Sequence, residues 1–216
     1  MNSVDLCWIC AARAVPIEEV VKPIYYLCPN CQFLFMDRTA FVDEVEEERV
    51  YGRHQNTRDN VGYVQMLTRF MEEAVFPFIE PPGRGLEFGC GPGPVLAELL
   101  EEHGFEIHRY DPYFFSQKEL LEQTYDFITA TEVLEHLHHP REEMQRLRDL
   151  LSPGGILAVM TQFHHQRDFK GWHYRRDPTH VCFYAPQTFR WLAEHLGLTL
   201  RKVDAARYAV MQKPVS

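Results

Sequence analysis

Short apolar runs alternate with amphipathic stretches along most of the chain after residue 60. Runs such as 125–131 have the length and the β-branched and aromatic content of buried strands, whereas 140–151 repeats its apolar residues with the period of a helix. The pattern therefore predicts an α/β fold. Strands are predicted over 85–88, 105–110, 125–131, 156–161, 198–203 and 208–211, and helices over 61–79, 94–103, 140–151 and 186–196.

The size and charge of the chain limit what it can be. With 216 residues it can hold one full α/β domain and a small appendage. Its net charge of −9 gives no broad positive surface for a phosphate backbone, so nucleic acid is not the expected partner. The sequence shows neither an apolar run of membrane-spanning length nor a secretory leader, so we expect a cytoplasmic protein without membrane contact.

Four of the six cysteines form two closely spaced pairs with 17 residues between them. In an intracellular chain this spacing favours a tetrahedral zinc site over disulfides or a redox dithiol. Glycine often follows the second cysteine of such a knuckle, whereas Ala11 and Gln32 stand there in this chain. The predicted structural zinc ligands are Cys7, Cys10, Cys28 and Cys31.

These features divide the chain into three predicted regions. Residues 1–36 form a zinc-ribbon-like segment, too small to fold by apolar burial alone, so that the metal would stabilise it. Residues 37–83 form a helical lead-in that ends in prolines, and residues 84–216 form the main domain.

A glycine-rich loop follows the first strand of the main domain. The sequence Glu87-Phe88-Gly89-Cys90-Gly91-Pro92-Gly93 has the strand, glycine turn and helix order of a nucleotide-type cofactor site. Asp111 stands 18 residues beyond Gly93, at the end of the second predicted strand. A carboxylate at that place can accept hydrogen bonds from both hydroxyls of a ribose. Together they indicate a cofactor that contains adenosine.

In these residues the chain resembles the class I S-adenosylmethionine-dependent methyltransferases over residues 60–213. The resemblance rests on the glycine loop, on Asp111, on the segment from Tyr125 through Glu132-Val133-Leu134-Glu135-His136, and on Leu151-Ser152-Pro153-Gly154-Gly155 before a strand. A nicotinamide-binding Rossmann domain would space its glycines G-x-G-x-x-G, whereas the spacing here is G-x-G-x-G. The resemblance implies a Rossmann-like, mostly parallel sheet with helices on both faces and an antiparallel last strand.

The resemblance also implies which residues bind S-adenosylmethionine. The loop would contact the methionine part of the cofactor, and Asp111 and Pro112 would contact its ribose. The end of the third strand would line the same cleft. The third-strand region of the family is shortened here, since 13 residues separate Asp111 from Tyr125, and Tyr113, Phe114 and Phe115 would cover the adenine instead. The predicted cofactor residues are Glu87, Phe88, Gly89, Cys90, Gly91, Gly93, Asp111, Pro112, Thr131 and Glu132.

Candidate catalytic groups lie in histidine-rich stretches. His180, His136 and Glu132 are the predicted catalytic residues, with His180 as general base. The set Glu132, Glu135, His136 and His180 resembles the magnesium site of some O-methyltransferases and small-RNA methyltransferases and could hold Mg²⁺. The alternative is that Glu132 caps a turn and His136 packs beside the cofactor. His164 and His165, and the aromatic residues and arginines of 170–184, are further candidates for the acceptor pocket.

The sequence therefore predicts an enzyme that transfers a methyl group from S-adenosylmethionine to a small-molecule acceptor, at an oxygen, with help from a base or a metal. Two alternatives stay open. Zinc ribbons accompany some RNA methyltransferases, although the acidic composition argues against RNA. The second alternative is a non-catalytic subunit that binds the cofactor.

Overall fold

The computed structural model describes residues 5–20, 22–52, 56–164 and 169–215. Its strands and helices follow one another in the order that the sequence predicts for the main domain. The strands are β1 (Val15–Pro16), β2 (Tyr25–Leu27), β3 (Leu34–Met36), β4 (Arg84–Phe88), β5 (Glu106–Tyr110), β6 (Tyr125–Thr131), β7 (Leu151–Met160), β8 (Cys182–Phe183), β9 (Thr199–Val203) and β10 (Tyr208–Gln212); the helices are α1 (Glu44–Tyr51), α2 (Val61–Phe70), α3 (Val95–Glu102), α4 (Pro140–Leu150) and α5 (Pro186–His195).

The large sheet has six strands in the order β5-β4-β6-β7-β10-β9. Strands β5, β4, β6 and β7 are parallel, and β10 runs antiparallel to both β7 and β9. The predicted sheet with one reversed last strand is thus confirmed. Between β5 and β6 the chain makes a 3₁₀ turn at Lys118–Glu122 and no strand, so β5 is the edge and the predicted shortening is confirmed as well.

Successive residues of the central strands pack on opposite faces of the sheet. Leu157 and Val159 of β7 lie in one buried cluster with side chains of α4 and α5, whereas Ala158 and Met160 lie in another with side chains of α2 and α3. This alternation is the period-2 geometry of a strand covered on both sides.

Two predicted boundaries are wrong. The helix predicted over 61–79 ends as an α-helix at Phe70 and continues as a π-helical turn over Met71–Val75. Residues 152–155, predicted to end a helix, are instead the first part of β7. Gly155 fits there because a Cβ atom would lie 3.0 Å from the carbonyl oxygens of both Tyr125 and Asp126.

The N-terminal segment has its own small sheet, in the order β1-β2-β3-β8. We call residues 5–36 the cysteine unit. Strands β2 and β3 lie on either side of the second cysteine pair. The fourth strand, β8, comes from the main domain and pairs with β3. The proposed division at residue 36 stays a prediction, but the two parts share a sheet.

Within the described residues, no helix combines the length and the apolar content that crossing a bilayer requires. The cytoplasmic location stays a prediction.

Candidate active site

The glycine loop closes against the end of β5. The backbone N–H groups of Gly89 and Cys90 both donate to the carbonyl of Tyr110, at 2.7 and 3.2 Å. Gly89 has a φ of +73°, and a Cβ atom on it would lie 2.4 Å from a methyl group of Val133. Glycine is required here both by the left-handed backbone and by the close approach of the segment after β6.

Asp111 holds the loop in place. Its Oδ2 accepts the N–H of Gly91 at 2.9 Å, and its Oδ1 accepts the N–H groups of Tyr113 and Phe114 at 2.9 and 3.1 Å. The side chain is buried and lines the main cavity. Each carboxylate oxygen has two lone pairs, so these three bonds leave one lone pair, on Oδ2, for a ribose hydroxyl. The sequence predicted the ligand role and missed this structural one.

Glu87 connects the first strand to the first helix of the main domain. Its Oε2 accepts the N–H of Ala97 at 3.0 Å, in the first turn of α3. Burial raises the pKa of this carboxyl to about 8, because a charge is poorly solvated there. The group therefore keeps its proton at neutral pH.

Gly93 lies against Asn56, a contact that the sequence does not predict. A Cβ atom on it would lie 2.1 Å from the carbonyl oxygen of Asn56, in the segment that leads into α2. The lead-in thus lies directly on the glycine loop.

A cavity of about 690 Å³ opens between the loop, the strand ends and the lead-in. This is a suitable size for a cofactor and part of a small acceptor. Its wall includes the three predicted catalytic residues and, apart from Gly93, every predicted cofactor residue.

A buried tyrosine joins two of the acidic groups in this wall. The Tyr174 hydroxyl donates to Glu132 Oε2 at 3.0 Å and also contacts Glu135 Oε1. Burial raises the pKa of Glu132 to about 7 and, together with the charge of Glu132, that of Glu135 to about 8. One hydroxyl proton cannot serve both carboxylates, so the trio is most stable with a further proton on one carboxyl group.

Glu132 also has strained backbone. Its φ is +53°, in the left-handed region that a residue with a Cβ atom seldom adopts, and its N–H donates to the carbonyl of Met160 at 2.8 Å. Such strain costs roughly 1–3 kcal/mol and is concentrated at functional sites. It turns the Glu132 side chain toward Tyr174.

His136 and His180 meet beside this trio. His180 Nδ1 lies 2.6 Å from the carbonyl of Tyr174, and His136 Nδ1 lies 3.0 Å from that of Thr179. A carbonyl only accepts, so both rings carry their proton on Nδ1, which makes Nε2 the basic nitrogen. The ring centroids are 4.7 Å apart.

One carboxylate and both imidazoles form a possible metal set. Ligand atoms of Glu135, His136 and His180 lie within 4.8 Å of one another. Glu132, the fourth residue of the predicted magnesium site, is not in this group.

The four paired cysteines converge as predicted. Their thiols lie within 4.8 Å of one another, with Sγ–Sγ distances of 3.5 Å for Cys7 and Cys31 and 3.4 Å for Cys10 and Cys28. Four thiolates at this spacing fit a tetrahedral zinc ion. Ala11 and Gln32 adopt φ values of +57° and +59°, so the turn that glycine usually makes is made here without it.

Other candidates from the sequence lie elsewhere. His164 Nε2 lies 2.7 Å from the carbonyl of Gln32, so this ring holds the second cysteine pair and does not line the main cavity. His165 lies outside the described residues. Arg175 and Arg176 donate to carbonyls of their own loop and line a separate, open cavity beside Lys22.

Residues 56–203 match the family model described as a methyltransferase domain. The protein belongs to this family. It is a class I, S-adenosylmethionine-dependent methyltransferase.

Solved structures agree on the fold of this methyltransferase. An O-methyltransferase family protein from Burkholderia thailandensis is 16% identical with a TM-score of 0.54, and the match covers 78% of this chain and 63% of that one. The N-methyltransferase NodS from Bradyrhizobium japonicum, in complex with S-adenosyl-l-homocysteine, is 18% identical with a TM-score of 0.53, covering 78% and 97%. A search of the curated proteins found no match to the chain. At these identities the similarity concerns the fold and leaves the acceptor open.

Proposed function

We propose that this methyltransferase methylates a hydroxyl group of a small-molecule acceptor, with His180 as the general base. The observation that carries the proposal is the bond from His180 Nδ1 to the Tyr174 carbonyl, which fixes the tautomer with a basic Nε2 in a ring on the cavity wall. The sulfonium of the cofactor is already activated, so the chain has to align the acceptor and remove its proton.

The surroundings of His180 support this role. Its ring packs against His136 and Tyr174, with centroids 4.7 and 4.2 Å away, so it has a fixed orientation. Glu135 lies beside it, and the one negative charge that the Tyr174 trio keeps would stabilise the imidazolium that forms when the ring takes a proton. Positioned bases of this kind contribute about 10²–10⁴-fold to a rate.

The charge of the wall favours an uncharged or cationic acceptor. Glu47, Asp111, Glu143 and Asp177 add carboxyl groups to the one negative charge that the Tyr174 trio keeps, against the guanidinium of Arg146, whereas Glu87 is protonated. An anionic acceptor would be repelled at short range. The same acidity argues against the alternative of an RNA substrate.

The base is tested with His180→Gln and a panel of hydroxylated and amine metabolites, measured by release of S-adenosylhomocysteine. We expect turnover to fall at least about 100-fold at pH 7 while calorimetric affinity for S-adenosylhomocysteine is kept. Full turnover would disprove the base assignment. Tight cofactor binding by the wild type without turnover on any acceptor would favour the alternative of a non-catalytic subunit.

The cofactor residues are part of the same proposal. We expect Asp111→Asn to weaken S-adenosylhomocysteine binding about tenfold or more, because the amide accepts hydroxyl protons less well than a carboxylate. Asp59→Asn, an exposed aspartate in the lead-in, is the matched control.

A divalent ion at Glu135, His136 and His180 is a second way to activate the hydroxyl, favoured by the convergence of these three groups. Two imidazoles and one carboxylate suit Mn²⁺, Fe²⁺ or Zn²⁺ better than the predicted Mg²⁺, which prefers oxygen ligands. Such an ion would lower the pKa of a bound hydroxyl. Calorimetric titration with Mn²⁺ should show a site that Glu135→Gln removes. Absence of binding would rule out the ion and leave the general base His180 as the group that activates the hydroxyl.

We also propose that Cys7, Cys10, Cys28 and Cys31 hold a structural Zn²⁺, supported by the thiol geometry. Metal analysis of the purified protein should find one zinc per chain that Cys28→Ser removes. Cys90→Ala, outside the cluster, should keep it.

A further inference from the structure

Helix α1 is unusual in what it buries. Among its eight residues the one buried side chain is Glu47, only 5% exposed, whereas Val45 is 77% exposed. A surface helix normally docks through an apolar stripe. A buried carboxylate in that position needs polar partners, because its desolvation is unfavourable.

Both partners come from segments that border the main cavity. The Tyr113 hydroxyl donates to Glu47 Oε2 at 3.1 Å, and His138 Nε2 lies 2.9 Å from Glu47 Oε1. Tyr113 follows the proposed ribose residue Asp111, and His138 follows His136. Glu47 therefore connects the cofactor side of the cavity to the side of the proposed base.

The rest of the segment also lies on the cavity. Tyr51, one helical turn after Glu47 on the same face, packs edge-on against His136 at 5.1 Å and lies 5.4 Å from Tyr113. Before the helix, the rings of Phe41 and His138 are 4.6 Å apart, and Arg38 donates to the His138 carbonyl at 3.0 Å. Segment 38–51 is thus fixed at both ends of α1.

This segment covers a side of the cavity that the sheet leaves open. No strand forms between β5 and β6, so the large sheet ends at β5, next to Tyr113. Helix α1 lies before residue 56, where the match to the methyltransferase family begins.

We infer that Glu47 is a positioning residue that holds Tyr113 over the adenosine end of the cofactor and keeps α1 closed on the cavity. The inference rests on the proposed function for the placement of the ribose at Asp111. In this arrangement helix α1 lines the cavity next to β5, the edge strand of the large sheet.

Calorimetric titration with S-adenosylhomocysteine tests the inference. We expect Glu47→Ala and Tyr113→Phe each to weaken binding about tenfold, as one charge-assisted hydrogen bond does. The double variant should bind no more weakly than Glu47→Ala, because Glu47→Ala already removes the only contact that Tyr113→Phe is designed to remove. Glu47→Gln, whose amide oxygen still accepts from Tyr113, should recover part of the affinity. The exposed neighbours Glu44→Gln and Glu48→Gln should stay within about twofold.

A purely structural role would give other results. Wild-type affinity in Glu47→Ala, or losses that add in the double variant, would overturn the inference. So would a lower melting temperature of the ligand-free protein with unchanged affinity. If Asp111→Asn binds normally while Glu47→Ala does not, the proposed ribose residue is wrong and the role of Glu47 in cofactor binding stands.

Discussion

At the scale of single residues, Glu87 makes stability depend on pH. Its pKa is about 8 in the folded protein and 4.5 in an exposed chain. Between these values the folded state holds a proton that the unfolded state releases, so rising pH favours unfolding. The contribution of Glu87 is fully present below pH 4.5 and is lost as the pH rises through 8.

The variant that tests this pH dependence is Glu87→Gln, whose side chain cannot ionise and whose amide oxygen can still accept the N–H of Ala97. Urea denaturation from pH 5 to 7.5 should show a free energy of unfolding that falls with pH in the wild type. The slope should be shallower in the variant by up to about 1 kcal/mol per pH unit. Glu119→Gln, at an exposed site, should keep the wild-type slope. Equal slopes for wild type and Glu87→Gln would show that Glu87 is ionised in the folded state.

A second residue-scale prediction concerns the turn after Cys10. Ala11 has a φ of +57°, a conformation that costs a residue with a Cβ atom about 1–2 kcal/mol and glycine almost nothing. Part of that gain is offset by the greater freedom of glycine in the unfolded chain. Ala11→Gly should therefore stabilise the zinc-loaded protein by about 0.5–1 kcal/mol in urea denaturation. Destabilisation would mean that the Ala11 methyl group makes packing contacts worth more than the strain.

At the scale of elements, the sequence predicts those helices, strands and turns that depend on interactions between residues close together in the chain. The glycines after β4 and the alternation of β6 depend on neighbours in sequence, so the strands and helices of the main domain and the part of the cavity wall at the strand ends could be predicted. Distant pairings could not. Strand β8 has two residues and exists because β3 lies beside it. The burial of Glu47 depends on Tyr113 and His138, which are far along the chain.

A prediction at the scale of elements concerns Gly93, where the lead-in meets the glycine loop. The backbone of Gly93 itself is not strained. Its φ is not positive, so Gly93→Ala tests the contact with Asn56 alone. The added methyl group should push the lead-in off the glycine loop, destabilise the protein by about 1–3 kcal/mol and weaken S-adenosylhomocysteine binding. Gly62→Ala, where a Cβ atom in α2 meets nothing closer than 3.6 Å, should instead stabilise by about 0.5–1 kcal/mol. Normal stability and affinity in Gly93→Ala would mean that Asn56 can move at no cost.

At the scale of the whole molecule, the cysteine unit and the methyltransferase domain fold as one body. The buried side chains of the cysteine unit lie in the same cluster as those that pack α4 and α5 on one face of the large sheet. The Thr188 hydroxyl of α5 donates to the Cys31 carbonyl at 2.9 Å, and the N–H of Met36 donates to that of Val181 at 2.8 Å. Val181 lies next to His180, so the cysteine unit supports the segment that contains the proposed base and leads into β8.

This connection predicts the result of metal removal. If zinc folds the cysteine unit, stripping it with a chelator under reducing conditions should lower the melting temperature of the entire chain in a single transition. A loss of about 5 kcal/mol corresponds to roughly 10–20 °C for a chain of this size. S-adenosylhomocysteine binding should weaken in parallel, because β8 and the loop before it lose their support. An independent appendage would instead melt in a separate transition and leave the melting temperature and cofactor affinity of the main domain unchanged, which would contradict the shared fold.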